Sequence, residues 1–380
     1  MQKRIRIVSV GIFFVILLIG IIVLNNNFNN KYSFTQDGIR YALTLDGEKT
    51  TSFPPKGMYK ALVICDGADG RWLYDEWKLA IENITSDDVT CDINFSTITK
   101  TSLNEYIISL AGTTQGTGQV VNEKGYRYEG KNPNNYIWFN NEYWRIIGVF
   151  DSASHGVSGK NLVKIIRADV LDGLAWNKSN TNDWTASSLK SLLNGAYYNA
   201  QDGTNSGYCY GYSTTATANC DYTKRGIQSG YRGMIASVTW HLGGSSSNNA
   251  TAEAFYGYER GTTVYSGRPT STTGYIGLMY PSDYGYSVLS SSCARTTNLK
   301  SYNSAKCAGQ SWLYGKGYEW ILTPDSSNSN YVFYLLLDGR VTNSFGAGDG
   351  YGSRPVLYLD ASVYKIDGDG SLKNPYIVGM

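Results

Sequence analysis

Several features that mark large functional classes are scarce or absent in this sequence. Only 2 histidines and 8 prolines occur among 380 residues, and 33 basic residues nearly balance 31 acidic ones. No basic stripe stands out along the chain, which disfavours a nucleic-acid partner. We therefore expect no nucleic acid among the molecules that this protein meets.

Motifs for catalysis are missing as well. His155 lies in a Ser/Gly loop and His241 in a separate segment, and neither has further ligands at the spacing of a zinc site. The nucleophile elbow Gly-x-Ser-x-Gly does not occur. Gly159-Lys160 is followed by Asn161 rather than by the Ser or Thr of a phosphate loop. We therefore predict no catalytic residue and no resident cofactor.

Tyrosine and glycine are abundant instead, with 32 and 42 copies. Together with Ser and Asn they dominate evolved binding loops, because Tyr gives contact area at low entropy cost and the small residues adapt. The composition predicts a β-rich, loop-rich protein that meets other molecules through its loops. The alternative is that Tyr merely substitutes for Phe in a well-hydrated β protein.

The first residues predict a membrane location. Lys3, Arg4 and Arg6 precede an apolar run over residues 7–24, which as a helix would span about 27 Å and cross a bilayer. Because positive flanks stay in the cytoplasm, residues 1–6 are predicted as a cytoplasmic tail and the bulk of the chain as extracellular. The alternative is a cleaved signal peptide. We expect a single-pass protein of the cell membrane.

The six cysteines all follow this apolar run, and none forms a C-x-x-C pair. An even number outside the cytoplasm indicates disulfides, although the sequence leaves their connectivity open. Local pairs would close loops of ordinary length, and each could stabilise the fold by roughly 3 kcal/mol. We predict the pairs Cys65–Cys91, Cys209–Cys220 and Cys293–Cys307.

Alternating apolar residues predict a small, sandwich-like all-β domain over residues 31–99. Tyr41 and Leu43, for example, alternate with polar neighbours and so fall on one face of a strand. Residues 100–118 are predicted as a short helix and linker, because Ser102–Glu105 matches a capping box and Gly-rich sequence follows.

A second domain, residues 119–380, is organised around the stretch 136–150. Asn140-Asn141 tolerates positive φ and suits a tight hairpin turn between two apolar arms. Trp138 on one arm and Trp144 on the other are both expected to be buried. Strands, then a helix, loops and strands again predict an α+β domain with mostly antiparallel strands and paired termini. The expected fold class of the whole chain is α+β, led by a transmembrane helix.

Four motifs follow one another in this second domain: Asn132–Tyr136, Trp144–Ile147, Ile276–Tyr286 and Arg354–Leu359. Together they resemble an uncharacterised family of bacterial surface proteins, domain of unknown function 6273. The resemblance covers residues 119–380, and the segment 60–95 is similar to a module that often precedes that domain. It implies a cell-surface location, in a Gram-positive bacterium, but no activity.

A weaker similarity reaches the C-type-lectin-like fold, which includes formylglycine-generating enzymes and variable bacterial receptors. It is carried by the strand led by Trp320, the turn Asp338–Arg340 and the closing strand Gly352–Pro355. No Cys follows Cys307, so the copper-binding cysteines of those enzymes have no counterpart. The resemblance therefore implies a C-type-lectin-like α+β fold without that catalysis.

Two Ser/Asn/Gly/Tyr loops, 325–331 and 343–351, flank rigid apolar strands. C-type-lectin-like receptors bind ligands with the corresponding region. The resemblance therefore implies ligand contacts at Tyr331, Asn343, Phe345, Asp349 and Tyr351. The alternative is that both loops are ordinary solvated turns.

Asp367, Asp369 and Ser371 form a second candidate site, for calcium. Two closely spaced carboxylates and a hydroxyl can coordinate a hard cation, but Val378 stands where an EF-hand loop has its bidentate Glu. The alternative is a Gly-rich hairpin between two strands.

These observations predict a membrane-anchored surface protein whose role is non-catalytic recognition or adhesion, with an extracellular protein or glycan as its partner. One alternative is an extracellular enzyme acting on cell-wall or glycan substrates. Another is a structural subunit of a surface appendage.

Overall fold

A computed structural model describes residues 6–7, 34–36, 38–74, 76–212, 215–216, 219–315 and 317–380. The chain divides into two compact units, essentially residues 1–100 and 101–378. Strands of the first unit are β1 (Arg6–Ile7), β2 (Phe34–Gln36), β3 (Ile39–Leu45), β4 (Glu48–Thr50), β5 (Tyr59–Asp66), β6 (Asp69–Leu73), β7 (Lys78–Glu82) and β8 (Val89–Thr97).

The second unit contains the remaining strands and all the α-helices among the described residues. Its strands are β9 (Thr101–Ser102), β10 (Thr114–Gln115), β11 (Thr117–Asn122), β12 (Tyr126–Asn132), β13 (Tyr136–Phe139), β14 (Glu142–Phe150), β15 (Leu162–Arg167), β16 (Leu171–Ala175), β17 (Tyr210–Tyr212), β18 (Thr215–Ala216), β19 (Val238–His241), β20 (Ser271–Gly274), β21 (Ile276–Gly277), β22 (Glu319–Pro324), β23 (Val332–Leu335), β24 (Val341–Thr342), β25 (Gly350–Ser353), β26 (Val356–Leu359), β27 (Tyr364–Asp367) and β28 (Tyr376–Gly379). Its helices are α1 (Leu103–Ser109), α2 (Ser152–His155), α3 (Ser188–Leu192), α4 (Ser229–Arg232), α5 (Ala252–Glu259) and α6 (Pro281–Tyr286).

Two sheets share one core in the first unit. One has the strand order β2-β3-β8-β5 with β4 added to β3, and the other has the order β1-β7-β6. The predicted alternation holds in β8, where every second residue from Val89 to Phe95 is buried. Trp72 and Trp77 fill the core and pack edge-to-face, with ring centroids 5.2 Å apart.

The prediction of a transmembrane helix over residues 7–24 is wrong. Ile7, the first residue of the expected span, lies in β1 and pairs with Ala80 of β7. The rest of the span, residues 8–24, falls outside the described residues. Among the residues that the structure does describe, no helix is both long and apolar enough to traverse a bilayer. The expected single-pass membrane location is therefore withdrawn.

The second unit is built on two larger sheets. The main one has the order β10-β11-β12-β14-β13-β28-β27-β9, extended from β14 through β15 and β26 to β21. The other has the order β16-β25-β22-β23-β24. The expected pairing of the termini is confirmed, because β27 pairs with β9 and β28 lies parallel to β13. Residues 100–118, predicted as a helix and linker, contain α1, whose buried Leu103 and Ile107 belong to the core of this unit.

The expected fold class is wrong in its leading transmembrane helix, whereas its α+β mixture is loosely compatible with a structure in which strands predominate. Strands dominate both units, and the longest α-helix of the described part, α5, has 8 residues. The Gly- and Ser-rich sequence gives helices little length: α3 passes at Leu193 into a π-helical turn that contains Gly195. The capping box at Ser102 is also absent, since its side chain makes no capping bond.

The central hairpin forms as predicted, but only one of its two tryptophans is buried. Asn140 and Asn141 have φ of 58° and 59°, as a tight turn between β13 and β14 requires. Trp144 is fully buried, whereas Trp138 lies on the opposite face, half-buried against the ring of Tyr143 at 5.1 Å. The reason is the two-residue period of a strand, which puts Trp138 and its cross-strand partner Tyr143 on the outer face.

The structure contains the three disulfides predicted from the sequence. Cys65–Cys91 joins β5 to β8, Cys209–Cys220 closes a loop near β17, and Cys293–Cys307 closes a loop after α6. Among the described residues no cysteine is free. Such bonds fit an oxidising compartment outside the cytoplasm.

Because Trp144 and Trp138 lie on opposite faces of the hairpin, replacing each with alanine should lower the free energy of unfolding by different amounts. Trp144→Ala should lower the free energy of unfolding by about 3–5 kcal/mol, because it leaves a cavity in the core. Trp138→Ala should lower it by less than half as much, since that ring is only half-buried on the outer face. Guanidinium unfolding of the two variants compares them, and equal losses would contradict the assigned faces.

Candidate functional site

The two predicted binding loops are joined by one carboxylate. Asp325 follows β22, and its Oδ1 accepts bonds from the backbone N–H groups of Ser327 at 2.6 Å and Asn328 at 3.1 Å. Its Oδ2 accepts a 2.6 Å bond from the side-chain amide of Asn343 in the other loop. The side chain of Asp325 therefore stabilises the turn of loop 325–331 and also connects this loop to loop 343–351.

Backbone contacts reinforce this junction. The N–H of Ala347 donates to the carbonyl of Asn330 at 2.7 Å, and Tyr331 forms a β-bridge with Gly346. The buried side-chain amide of Asn182 reaches the carbonyls of Asp325 and Asn328, each at 2.8 Å. Irregular segments are held in one conformation when their buried polar groups have partners, so this pair of loops is pre-formed.

An aromatic cluster lies beneath and between the loops. The Tyr351 ring centroid is 4.7 Å from Trp320, 5.2 Å from Tyr334 and 5.2 Å from Tyr318, whose ring is nearly parallel. Phe345 packs on Tyr334 at 5.3 Å. Trp320 and Tyr334 are fully buried, whereas Phe345 keeps 44% of its surface exposed. The cluster therefore presents an apolar edge to solvent on a buried aromatic base.

One carboxyl accompanies the aromatic edge. Asp349 is half-buried, and burial raises its pKa above the ordinary value. Burial, together with the charge of Asp349, raises the pKa of Tyr351 as well, so its hydroxyl remains a hydrogen-bond donor at neutral pH. A half-exposed phenol and a carboxyl beside an apolar edge can hydrogen-bond a ligand that packs on the rings.

The structure thus joins the two loops that carry the five predicted contact residues. Phe345 and Tyr351 share the aromatic cluster, with Asp349 beside it, and Tyr331 is 37% exposed at the bridge to the second loop. Asn343 is engaged by Asp325. That these residues contact a ligand stays a prediction.

The calcium candidates lie in the turn between β27 and β28. Asp369 Oδ1 accepts a 2.8 Å bond from the N–H of Ser371, and Ser371 Oγ accepts from the N–H of Asn374 at 3.2 Å. Gly368 and Gly370 have φ of 86° and 78°, as the turn requires. No group of three or more His, Cys, Asp or Glu suited to a metal ion occurs in the described part of the chain. Calcium at Asp367, Asp369 and Ser371 stays a prediction.

The second unit also contains a buried ionic cluster that was not predicted from the sequence. Asp283 of α6 accepts bonds from Arg127 Nη1 at 3.0 Å and Lys164 Nζ at 2.5 Å, and all three side chains are almost fully buried. Burial lowers the pKa of Lys164 to about 8. For Asp283, burial alone would raise the pKa, but the two cations lower it overall. The only signal in the sequence was the motif Ile276–Tyr286, which no spacing rule connected to Arg127 or Lys164.

A second buried carboxyl lies next to this cluster. Glu259 accepts bonds from the N–H and hydroxyl of Ser282 at 2.9 and 2.6 Å, and forms an ion pair with Arg260 at 3.1 Å. Burial raises its pKa to about 7. Although its pKa is shifted, Glu259 lies inside the core, and its bonds to Ser282 join α5 to α6.

Three arginines set among apolar strand residues, Arg145, Arg167 and Arg354, have structural partners. Arg354 donates to Glu319 at 2.7 Å inside the core, and Arg167 pairs with Glu142 at 2.6 Å. Arg145 lies 4.2 Å from the ring centroid of Tyr136 and 4.7 Å from that of Trp312. The two histidines also have local partners, in the carbonyls of Phe150 and Ala153.

Known proteins do not identify the chain. No family model, curated protein or solved structure matches it. The resemblance to domain of unknown function 6273 and the similarity to the C-type-lectin-like fold therefore stay predictions.

Glu259 predicts a specific pH dependence. The folded protein keeps a proton on Glu259 up to about pH 7, whereas the unfolded chain releases it near the ordinary pKa of 4.5. Folding is therefore favoured below pH 4.5 by this group, and that contribution fades as pH rises through 7. Glu259→Gln should remove a loss on the order of 2 kcal/mol between pH 5 and 8.

Unfolding free energies of the wild type and of Glu259→Gln across this pH range test the point. Glu253→Gln, on the exposed side of the same helix, is the matched control and should follow the wild type. Parallel pH profiles for the wild type and Glu259→Gln would contradict a raised pKa at this position.

Proposed function

We propose that this chain is an extracellular recognition protein that binds a glycan or protein ligand without turning it over. Its binding surface is formed by loops 325–331 and 343–351. The observation that carries the proposal is the convergence of these loops, through Asp325 and the Tyr331–Gly346 bridge, around aromatic rings that are partly exposed.

The physical argument is one of pre-organisation. Aromatic side chains give a large contact area for few rotatable bonds, and a ligand that meets a fixed surface loses less free energy to ordering than one that must order the loops. Phe345 is exposed but braced by Tyr334 and Tyr351, so its ring is already positioned. Ser344 and Asp349 add polar groups beside it.

Two further observations support recognition rather than catalysis outside the cell. The three disulfides fit an oxidising compartment. Lys164 and Glu259, whose pKa values are strongly shifted by burial, are fully buried, where a substrate does not reach them.

The proposal predicts that Phe345→Ala lowers ligand affinity at least about tenfold, because a packed aromatic contact contributes more than 1 kcal/mol. The ligand is first sought by applying the purified protein to glycan and protein arrays. The affinity of each hit is then measured for the wild type, Phe345→Ala and the control Tyr258→Ala. Tyr258 is 38% exposed on α5 and belongs to neither loop, so its variant should bind normally.

Several outcomes would count against the proposal. Unchanged binding after alanine replacement at all five contact residues would place the binding surface elsewhere. Turnover of peptidoglycan or a glycan by the wild type would favour the extracellular enzyme. Open-ended self-assembly of the purified protein would favour an appendage subunit.

A further inference from the structure

The first unit has an edge strand with an exposed apolar face. β5 ends its sheet, since the strand order β2-β3-β8-β5 places no described strand beyond it. Leu62 and Ile64 on its outer face are 59% and 57% exposed. An edge strand of this kind is a template for pairing with another chain.

The disulfide shows which backbone groups point outward. Cys65 lies directly opposite Cys91 with a Cα–Cα distance of 4.1 Å, the close spacing of a pair that exchanges no ladder hydrogen bonds. The N–H and C=O of Cys65 therefore point away from β8. The same holds two and four residues earlier, at Val63 and Ala61. Ala61 bears this out, because its N–H donates to the hydroxyl of Tyr74 at 2.9 Å instead of to β8.

The side chains of β5 are complementary to a second copy of the same strand. Lys60 and Asp66 are exposed on the face that carries Leu62 and Ile64. Placing Val63 against Val63 of the partner subunit, antiparallel, sets Leu62 opposite the partner's Ile64 and Lys60 opposite the partner's Asp66. The Val63 pair lies on the two-fold axis, and symmetry makes the Leu62–Ile64 and Lys60–Asp66 contacts occur twice each.

We propose that β5 pairs with β5 of a second copy of this chain to form a two-fold dimer in this register. Val63 and the partner's Val63 exchange two N–H···O bonds, since both point outward. The flanking residues form close pairs without ladder bonds, which brings the apolar and the oppositely charged side chains into contact. Burial of Leu62 and Ile64 on both subunits drives the association.

Neighbouring registers lack this match. Setting Leu62 opposite the partner's Leu62 keeps the outward backbone groups aligned but places Lys60 opposite the partner's Ile64. Setting Ile64 opposite the partner's Ile64 places Leu62 opposite the partner's Asp66. Both leave charges facing apolar side chains, so the Val63-centred register is selected.

Tyr74 covers one end of the edge in the single chain. Its hydroxyl accepts from the N–H of Ala61 and approaches the Ala61 carbonyl at 3.5 Å. In the dimer this hydroxyl gives way to the backbone of the partner's Cys65. Before pairing, the edge is thus capped at Ala61, whereas no described strand covers it at Val63 and Cys65.

Charge reversal tests the register with the full chain. Sedimentation velocity over about a hundredfold range of concentration should show a reversible monomer–dimer equilibrium for the wild type. Lys60→Asp and Asp66→Lys should each weaken it at least about tenfold, because two attractive pairs become repulsive. Mixing these two variants should restore the dimer, since the carboxylate introduced by Lys60→Asp then faces the ammonium introduced by Asp66→Lys.

Two further variants complete the test. Leu62→Glu should abolish association, whereas Lys49→Asp, an exposed change on β4, should leave it intact. Circular dichroism confirms that each variant is folded. A wild type that stays monomeric at its highest soluble concentration would overturn the proposal. So would association that is unaffected by Leu62→Glu, or a mixture of the two charge variants that does not associate.

Discussion

The side-chain amide of Asn182 is the contact on which the candidate binding surface depends. It is buried, and its Nδ2 reaches the carbonyls of Asp325, Asn328 and Tyr331, at distances from 2.8 to 3.1 Å. The backbone N–H of Asn182 donates to the carbonyl of Ser329. A loop without regular structure cannot satisfy its carbonyls internally, so one buried amide supplies what a neighbouring strand would otherwise provide.

A few buried polar side chains also connect the strands and helices in the core of the second unit. Asp283 joins β12 and β15 to α6 through Arg127 and Lys164, and Glu259 joins α5 to the same helix through Ser282. Removing one partner of such a cluster leaves an uncompensated buried charge, which costs more than the intact cluster contributes. These contacts therefore specify how short helices pack on the sheet, which their length alone would not determine.

The parts of the fold that the sequence predicts are local. The Asn140-Asn141 turn follows from residues that tolerate positive φ, and the disulfides follow from cysteines close in sequence. The five candidate contacts came from loop composition and a resemblance, and the structure joins the two loops that carry them. These loops are recognisable in the sequence because the strands that flank them are apolar and adjacent along the chain.

What could not be predicted depends on contacts between distant residues or on the choice of a face. Arg127 and Asp283 are separated by 156 positions and Lys164 and Asp283 by 119, so no spacing rule connects them. Composition predicts burial for both Trp138 and Trp144. Only the register of the hairpin shows that Trp138 lies on the outer face. The apolar run that begins at Ile7 suggested a helix, whereas Ile7 itself pairs as a strand with Ala80.

Hydrogen–deuterium exchange of the unliganded protein tests the central claim most directly, which is that the binding loops are fixed before any ligand arrives. The backbone amides of Ser327, Asn328 and Ala347 donate within the junction, and that of Gly348 donates to the side chain of Asn180. All four should exchange far more slowly than the amides of an open loop. Exchange of these amides at the rate of an unstructured peptide would show that the surface is not pre-formed.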